Sequence, residues 1–261
     1  MKPTIIKGEN VKIGKNVRIN ISEYLEIGDR SIIFDNAIIE GRHVKIGKEA
    51  IIHEYSHIGG GSCFDWQSNL VIGDFLHLGK FAHINPARKI TIGDECGLGD
   101  QTKLWGHGAY LSAYEGFPVK FDNIEIGNRV WIPYAWVNPG VKIGDDVVIA
   151  SFSLVNKDIP SGCLAGGVPA NIIKKNIYPR ELSKSEKKNI IDQISYDIKL
   201  KLLYKDDIVI FKNNYIETKF DIKNRIIEGS SNNQTDLIKN QLRRYGIRFR
   251  YYSKNGVYQK W

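Results

Sequence analysis

The stretch Ile46-Gly47-Lys48-Glu49-Ala50-Ile51, followed by Ile52-His53-Glu54-Tyr55-Ser56-His57 and Ile58-Gly59, decides how this chain is read. An aliphatic residue opens each hexad, a small residue often follows it, and a small side chain often holds the fifth place. The Ile-Gly pair recurs at Ile13, Ile27, Ile46, Ile72, Ile92, Ile126 and Ile143. A period of six, with three hexads closing a triangular turn of about eighteen residues, is the signature of a β-helix solenoid. Each hexad then supplies one short strand and one corner, with its opener pointing inward to stack on counterparts in neighbouring coils. Glycine at the second place suits a corner that needs positive φ or close approach of another backbone.

The Ile-Gly marks are spaced 14, 19, 26, 20, 34 and 17 residues apart. Values near eighteen are plain coils. The excess in the 26-residue gap falls around Gly59-Gly60-Gly61-Ser62-Cys63-Phe64-Asp65-Trp66-Gln67-Ser68, and that in the 34-residue gap falls between Gly106 and Asn123. Insertions into a repeat become loops off one face, and such loops often bind. The larger one, near residues 107–123, carries Tyr110, Tyr114 and Phe117.

The chain of 261 residues is 42% hydrophobic and 25% charged, ordinary values for a soluble protein with room for one large and one small domain. No apolar run is long enough to span a membrane, and the first residues, Met1-Lys2-Pro3-Thr4-Ile5-Ile6, lack a secretory h-region, so a cytoplasmic protein is expected. Cys63, Cys96 and Cys163 have no metal-type spacing and read as reduced core or loop residues. The net charge of +8 is unevenly placed: residues 178–261 hold 18 basic and 10 acidic side chains, whereas residues 1–177 hold 19 of each. The expected organisation is a solenoid over 1–177 and a basic α+β module over 178–261. A peripheral contact of that module with an anionic surface is compatible with its charge, and no motif points to nucleic acid.

The beat stops after Val155-Asn156-Lys157-Asp158-Ile159-Pro160, and Ala165-Gly166-Gly167-Val168-Pro169-Ala170 reads as an exit that ends regular structure. Beyond it, Ser183-Lys184-Ser185-Glu186 is a capping box, with Ile190, Ile191, Ile194 and Ile198 following at helical spacing. Ile208-Val209-Ile210-Phe211 and Tyr215-Ile216-Glu217-Thr218 predict a hairpin about Asn213-Asn214. A second helix is expected from Thr235 to Tyr245, stopped by Gly246. A strand at Arg248-Phe249-Arg250-Tyr251, a turn at Asn255-Gly256 and a last strand to Trp261 complete the module.

Four segments, Gly127-Asn128-Arg129-Val130-Trp131-Ile132, Asn138-Pro139-Gly140-Val141, Lys157-Asp158-Ile159-Pro160 and Gly167-Val168-Pro169-Ala170, resemble the hexapeptide-repeat acyltransferases. The resemblance is nearest to the galactoside and maltose acetyltransferase branch, and it covers roughly residues 10–175. It implies a mainly β fold, a left-handed parallel β-helix, acting as a homotrimer whose clefts hold acetyl-CoA and a sugar acceptor. In that family a histidine before the external loop is the general base, and His107 in Trp105-Gly106-His107-Gly108 stands at the corresponding place. Acyl transfer from a thioester needs a hydroxyl or amine deprotonated as it attacks, which imidazole can do near neutral pH.

The resemblance also places coenzyme contacts at Trp131, Ser151, Ser153, Lys157, Gly167, Ala170, Lys174 and Lys175. Lysines suit the phosphates as point charges. Asn85, Asp100, Glu115 and His83 are acceptor-side candidates by neighbourhood. The chain departs from the family pattern in Ile132-Pro133-Tyr134-Ala135-Trp136-Val137-Asn138, one residue short and with bulky Tyr134 and Trp136, and at Phe152 where glycine is common. Two other readings stay open: a non-catalytic scaffold acting through its C-terminal module, and a zinc lyase like the γ-class carbonic anhydrases, which share this fold. The latter needs two histidines five apart with a third about two coils away, a set that His43, His53, His57, His77 and His83 do not make; no metal is expected.

Overall fold

The structure, a computed structural model, describes residues 2–213 and 215–261. It divides into two compact units, the first running to Arg180 and the second spanning Glu181–Trp261. In the first, short parallel strands wind about a common core in three faces. One face stacks Lys12–Ile13, Ile32–Ile33, Ile51–Ile52, His77–Leu78, Gly97–Leu98, Trp131–Ile132 and Val148–Ile149. The other two share the long strand Ile38–Ile46, whose start pairs with His57–Ile58 and whose end pairs with Leu70–Ile72. The whole is a parallel β-solenoid of about eight turns.

The hexad openers are the core. Ile58, Ile84, Leu104, Val137 and Val155 register down one face, and Ile46, Ile72, Ile92, Ile126 and Ile143 down another, all buried. Burying each such side chain is worth about 1.5–3 kcal/mol relative to leaving it in water, and no coil can do so alone. The first coil shows the converse: Ile5, Ile6 and Ile13, stacked on one side only, are exposed. Cys96 and Cys163 fill fifth places of hexads as buried thiols outside any disulfide.

The third residue of the Ile-Gly-Asp phrase is as purposeful as the first two. The carboxylate of Asp74 accepts the backbone N–H of Lys48 at 2.8 Å, Asp94 accepts that of Asp74 at 2.8 Å, and Asn128 accepts that of Asp94 at 2.9 Å. Asp145 continues the series with Asn128 (2.6 Å) and Ser161 with Asp145 (3.0 Å). Each acid or amide thus satisfies a corner amide of the coil before it, a group that would cost about 1–3 kcal/mol if left buried without a partner. The glycine answers close approach: a Cβ on Gly28 would lie 2.5 Å from the backbone nitrogen of Lys48. Positive φ falls two residues later instead, on Arg30, Glu49, Phe75, Glu95, Arg129 and Asp146.

At the corner between two faces a second ladder runs through residues that, Tyr134 apart, are left-handed. The Asn16 and Asn36 amides bond at 3.3 Å, the Tyr55 and Phe81 rings stack at 5.2 Å, and Tyr134 reaches Gln101 at 3.2 Å and packs on Phe152 at 4.7 Å. Tyr134 and Phe152 therefore continue a corner stack.

The expected exit at residues 165–170 is corrected. Leu164–Gly167 pairs in parallel with Val148–Ile149, extending the solenoid, and then turns through Val168 and Pro169 into Ala170–Lys174, which pairs antiparallel on its other side. The Gly-Gly-Val-Pro signal was a hairpin turn rather than an end.

The second unit is a six-stranded antiparallel sheet in the order Leu203–Lys205, Ile208–Lys212, Glu217–Asp221, Ile226–Ser230, Val257–Lys260, Tyr251–Lys254. Two helices, α1 (Lys184–Ile198) and α2 (Asn233–Arg244), supply Ile191, Ile194, Ile238 and Leu242 to its core of Val209, Phe211, Phe220 and Phe249. Ser183 and Glu186 make the expected capping box. The predicted strand at Arg248–Tyr251 begins instead at Tyr251, where pairing with Lys260 starts, and Phe249 before it packs edge-on against Phe220. The strand expected from Tyr215 begins at Glu217, since Asn213 folds its side chain onto the amides of Tyr215 and Ile216; Asn214 of that expected turn lies outside the described residues.

Candidate active site

His107 follows the strand Lys103–Trp105 and opens a two-residue strand, His107–Gly108, that pairs antiparallel with Lys120–Phe121. The long insertion therefore leaves and returns at one corner, and Tyr110 and Tyr114 at its tip are fully open to solvent. Across the two strands the His107 and Phe121 rings stack, 5.3 Å apart and 18° from parallel. The Arg88 guanidinium sits over Phe121 at 4.6 Å, with Asp65 of the smaller insertion 3.9 Å from it. His107 Nδ1 is buried with no hydrogen-bond partner among the described residues. Its Cε1 and Nε2 atoms face Gly61, where a Cβ would stand 3.5 Å from both. Alanine would fit there in ordinary contact; a longer side chain would enter the space in front of Nε2.

The smaller insertion is laid across this region by three glycines in succession. Gly59 and Gly60 have φ of 139° and 113°, a backbone that other residues rarely adopt. Gly59 lies on Glu40, whose carboxylate meets His57 Nε2 at 3.0 Å, and its carbonyl is 2.9 Å from His83 Nε2. A Cβ on Gly60 would fall 2.8 Å from Asn85 Nδ2 and 3.2 Å from His83 Nε2. His57 and His83 stack at 4.6 Å, and Trp105 meets His83 edge-on at 5.0 Å. Burial lowers the His83 pKa, against the opposing pull of the Gly59 carbonyl. Asn85 is buried, with Oδ1 accepting the Ala87 N–H at 3.0 Å.

The structure thus brings His83, Asn85 and His107 together under one glycine turn. The sequence reading missed Glu40, His57, Gly61, Trp105 and Phe121 there. His57 and His83 were detectable in principle, since both precede a hexad opener in successive coils.

Other expected site residues lie elsewhere. Asp100 is a corner acid, its carboxylate accepting the Lys80 N–H at 2.9 Å; it lies in the turn before the strand Lys103–Trp105, at the end opposite His107. Glu115 is exposed on a short 3-10 turn, Ala113–Glu115, of the long insertion. Ser153 donates to Ala150 O at 2.6 Å and accepts Gly167 N–H at 3.0 Å, so its hydroxyl binds coil to hairpin and has no donor left for a ligand. Ala170 is buried at the hairpin turn that Gly167 (φ 108°) enters. Ser151, Lys157, Lys174 and Lys175 are exposed about this last coil. Trp131 lies over Gly97 on the neighbouring face, half open to solvent, and Trp136 packs edge-on to Trp105 at 6.5 Å.

No family model matches the chain. Over 163 residues it is 31% identical to a chloramphenicol acetyltransferase of Morganella morganii, spanning 56% of this chain and 73% of that protein. This chain belongs to the hexapeptide-repeat acyltransferases. It is also 35% identical over 115 residues to the galactoside O-acetyltransferase of Escherichia coli (strain K12), 43% of this chain, and spans 57% of that relative's length. Among solved structures, a galactoside acetyltransferase in complex with coenzyme A is 28% identical, with 50% of this chain and 64% of that one covered and a TM-score of 0.44. As a member of that family, the chain forms its left-handed parallel β-helix. Among the described residues no cluster of three or more His, Cys, Asp or Glu is placed to hold a metal, and no helix is long and apolar enough to cross a membrane.

Proposed function

We propose that the protein transfers an acetyl group from acetyl-CoA to a sugar hydroxyl or amine, with His107 as general base. The observation carrying this reading is the His107 imidazole: its Nδ1 is buried without a partner, and its Nε2 edge fronts a space kept clear by Gly61. A buried polar atom without a partner needs a reason, and catalysis is one of the few that recur. Nε2 takes the acceptor proton as the acceptor oxygen or nitrogen attacks the thioester carbonyl. The tetrahedral intermediate then collapses, and the departing thiolate recovers the proton. Both substrates react directly, so the protein's task is to orient them and supply the base.

A trimer is favoured by the position of Trp131. It lies on the face before the strand Lys103–Trp105, while His107 lies beyond that strand's far end. A coenzyme touching both in one prism would have to wrap a whole face; two prisms side by side bring the positions together across a cleft. Ser151, Lys157, Lys174 and Lys175 are then the side chains to hold the coenzyme's polar groups. His83, Asn85 and the loop bearing Tyr110, Tyr114 and Glu115 serve the acceptor, in the cytoplasm where acetyl-CoA is available.

The test is acceptor-dependent release of free thiol from acetyl-CoA across neutral sugars, amino sugars and acidic glycans. Wild type is expected to turn over at least one class, and His107→Ala to lose it while coenzyme A still raises the melting temperature. Wild-type turnover in His107→Ala overturns the base. No thermal shift of wild type at millimolar coenzyme A overturns the transferase reading in favour of a scaffold.

A further inference from the structure

The second unit has two adjoining cavities of opposite character. One, about 490 Å3, is lined by Leu182, Ile190, Ile191, Ile222, Tyr245 and Ile247. The other, about 500 Å3, is ringed by Lys184, Lys187, Lys188, Lys205 and Lys223, with Asp206 and Asp207. Lys187, Tyr204, Asp207 and Lys223 belong to both.

Of the two acids, Asp207 is committed to its neighbours. It accepts the Tyr204 hydroxyl at 2.7 Å and the Lys187 ammonium at 3.0 Å, and those contacts hold its carboxyl below the usual range. Asp192 neutralises Lys188. Five lysines face two aspartates, and removing the Lys188 charge leaves about two positive charges without a fixed counter-ion. Such a ring matches a phosphate ester, which carries about −1.5 to −2 at neutral pH. The apolar chamber beside it is lined by aliphatic side chains that would strip water from a hydrocarbon chain.

We infer that this cavity pair binds an anionic amphiphile, a phosphate ester whose charged head lies among Lys184, Lys205 and Lys223 and whose aliphatic chain enters the chamber of Ile190, Ile222 and Ile247. The site is separate from the acyl-transfer reading and does not rest on it. A phosphorylated lipid in a bilayer and a free phosphorylated amphiphile present the same chemistry, and the experiment separates them.

Full-length protein is titrated with decyl phosphate below its micelle concentration, with inorganic phosphate and with decanoate. Decyl phosphate is expected to bind with one-to-one stoichiometry and at least a hundredfold more tightly than inorganic phosphate, because each buried methylene contributes roughly fourfold. It should also exceed decanoate, which brings a single charge. Lys205→Glu/Lys223→Glu should weaken it at least tenfold, and Ile222→Asn should bring it towards inorganic phosphate. Lys254→Glu/Lys260→Glu, an equal charge change on exposed strands of the same unit, should leave it within twofold; circular dichroism checks that each variant is folded. Equal binding of decyl and inorganic phosphate, equal binding of decanoate, or an equal loss in the Lys254/Lys260 variant each overturns the inference. Flotation with phosphatidylglycerol vesicles that decyl phosphate competes away assigns the head group to a membrane lipid. Decyl phosphate binding without flotation assigns it to a soluble ligand.

Discussion

The plain coils and the interrupted ones are built from the same hexad, yet they differ in how completely they satisfy themselves. Between Ile126 and Ile143 the coil is closed: openers are buried, corner amides are taken by Asp145 and Ser161, and Arg129 is paired to Asp146. Where the insertions at 59–68 and 107–123 break the beat, buried atoms without partners appear, His107 Nδ1 and Ser68 Oγ among them. Regular coils commit most of their polar groups to each other, although His43 Nδ1, in the plain coil between Ile27 and Ile46, is also buried without a hydrogen-bond partner among the described residues. The irregular ones keep some in reserve, and a reaction can use only what the fold has not already used.

The largest expected effect breaks that contrast at its irregular side. His107→Ala should lower kcat by about 10²–10⁴-fold, the range for losing a positioned general base, with little change in melting temperature. The regular side breaks differently. Leu98→Ala, which empties a fully buried place in the stack, should cost about 2–5 kcal/mol of stability, seen as a lower denaturant midpoint. Gly61→Leu tests the space in front of Nε2: turnover should fall at least tenfold while unfolding stays near wild type. Loss of stability without loss of turnover would show that the turn is structural only.

Asp145→Ala is the smaller probe of the regular side, removing one corner acceptor at a cost of about 1 kcal/mol in thermal unfolding. The smallest effect concerns pH. Burial lowers the His83 pKa in the folded chain, so the unfolded chain binds the proton more readily. Stability is therefore complete above about pH 6.5, the unfolded value, and declines as pH falls below it through the folded value. Stability measured between pH 7.5 and 5 should fall less in His83→Gln than in wild type.

The fold was legible because one physical demand, an inward aliphatic every six residues, repeats until chance is excluded. The helices were legible through local signals, Ser183-Glu186 most of all. What escaped needed neighbours distant in sequence. Asp100 and Ser153 are residue types that serve ligands and also serve corners, and only the coil alongside tells which. The hairpin Leu164–Gly167/Ala170–Lys174 was hidden because its glycines and proline signal a turn without revealing that a paired strand lies beyond it. Likewise Tyr134 and Phe152 read as bulky departures from the family pattern until their stacking placed them on a corner. His107 was singled out by the family resemblance, at the edge of an interruption in rhythm, whereas the glycine turn over it became visible only once coils 24 to 26 residues apart were side by side.

The corner ladder has a direction. Every acceptor in it serves the coil that precedes it in the chain, so no coil is finished by its own residues. As the chain emerges from synthesis, the newest corner amide always waits for an acceptor not yet made, from Lys48 waiting for Asp74 to Asp145 waiting for Ser161. Shortening the solenoid from its start removes amides and leaves the acids that served them, such as Asp29 after the loss of Glu9, exposed at the new end where water can solvate them. Shortening it from its end strands an amide at each cut, so the two ends of this prism are unequal places at which to lose a coil.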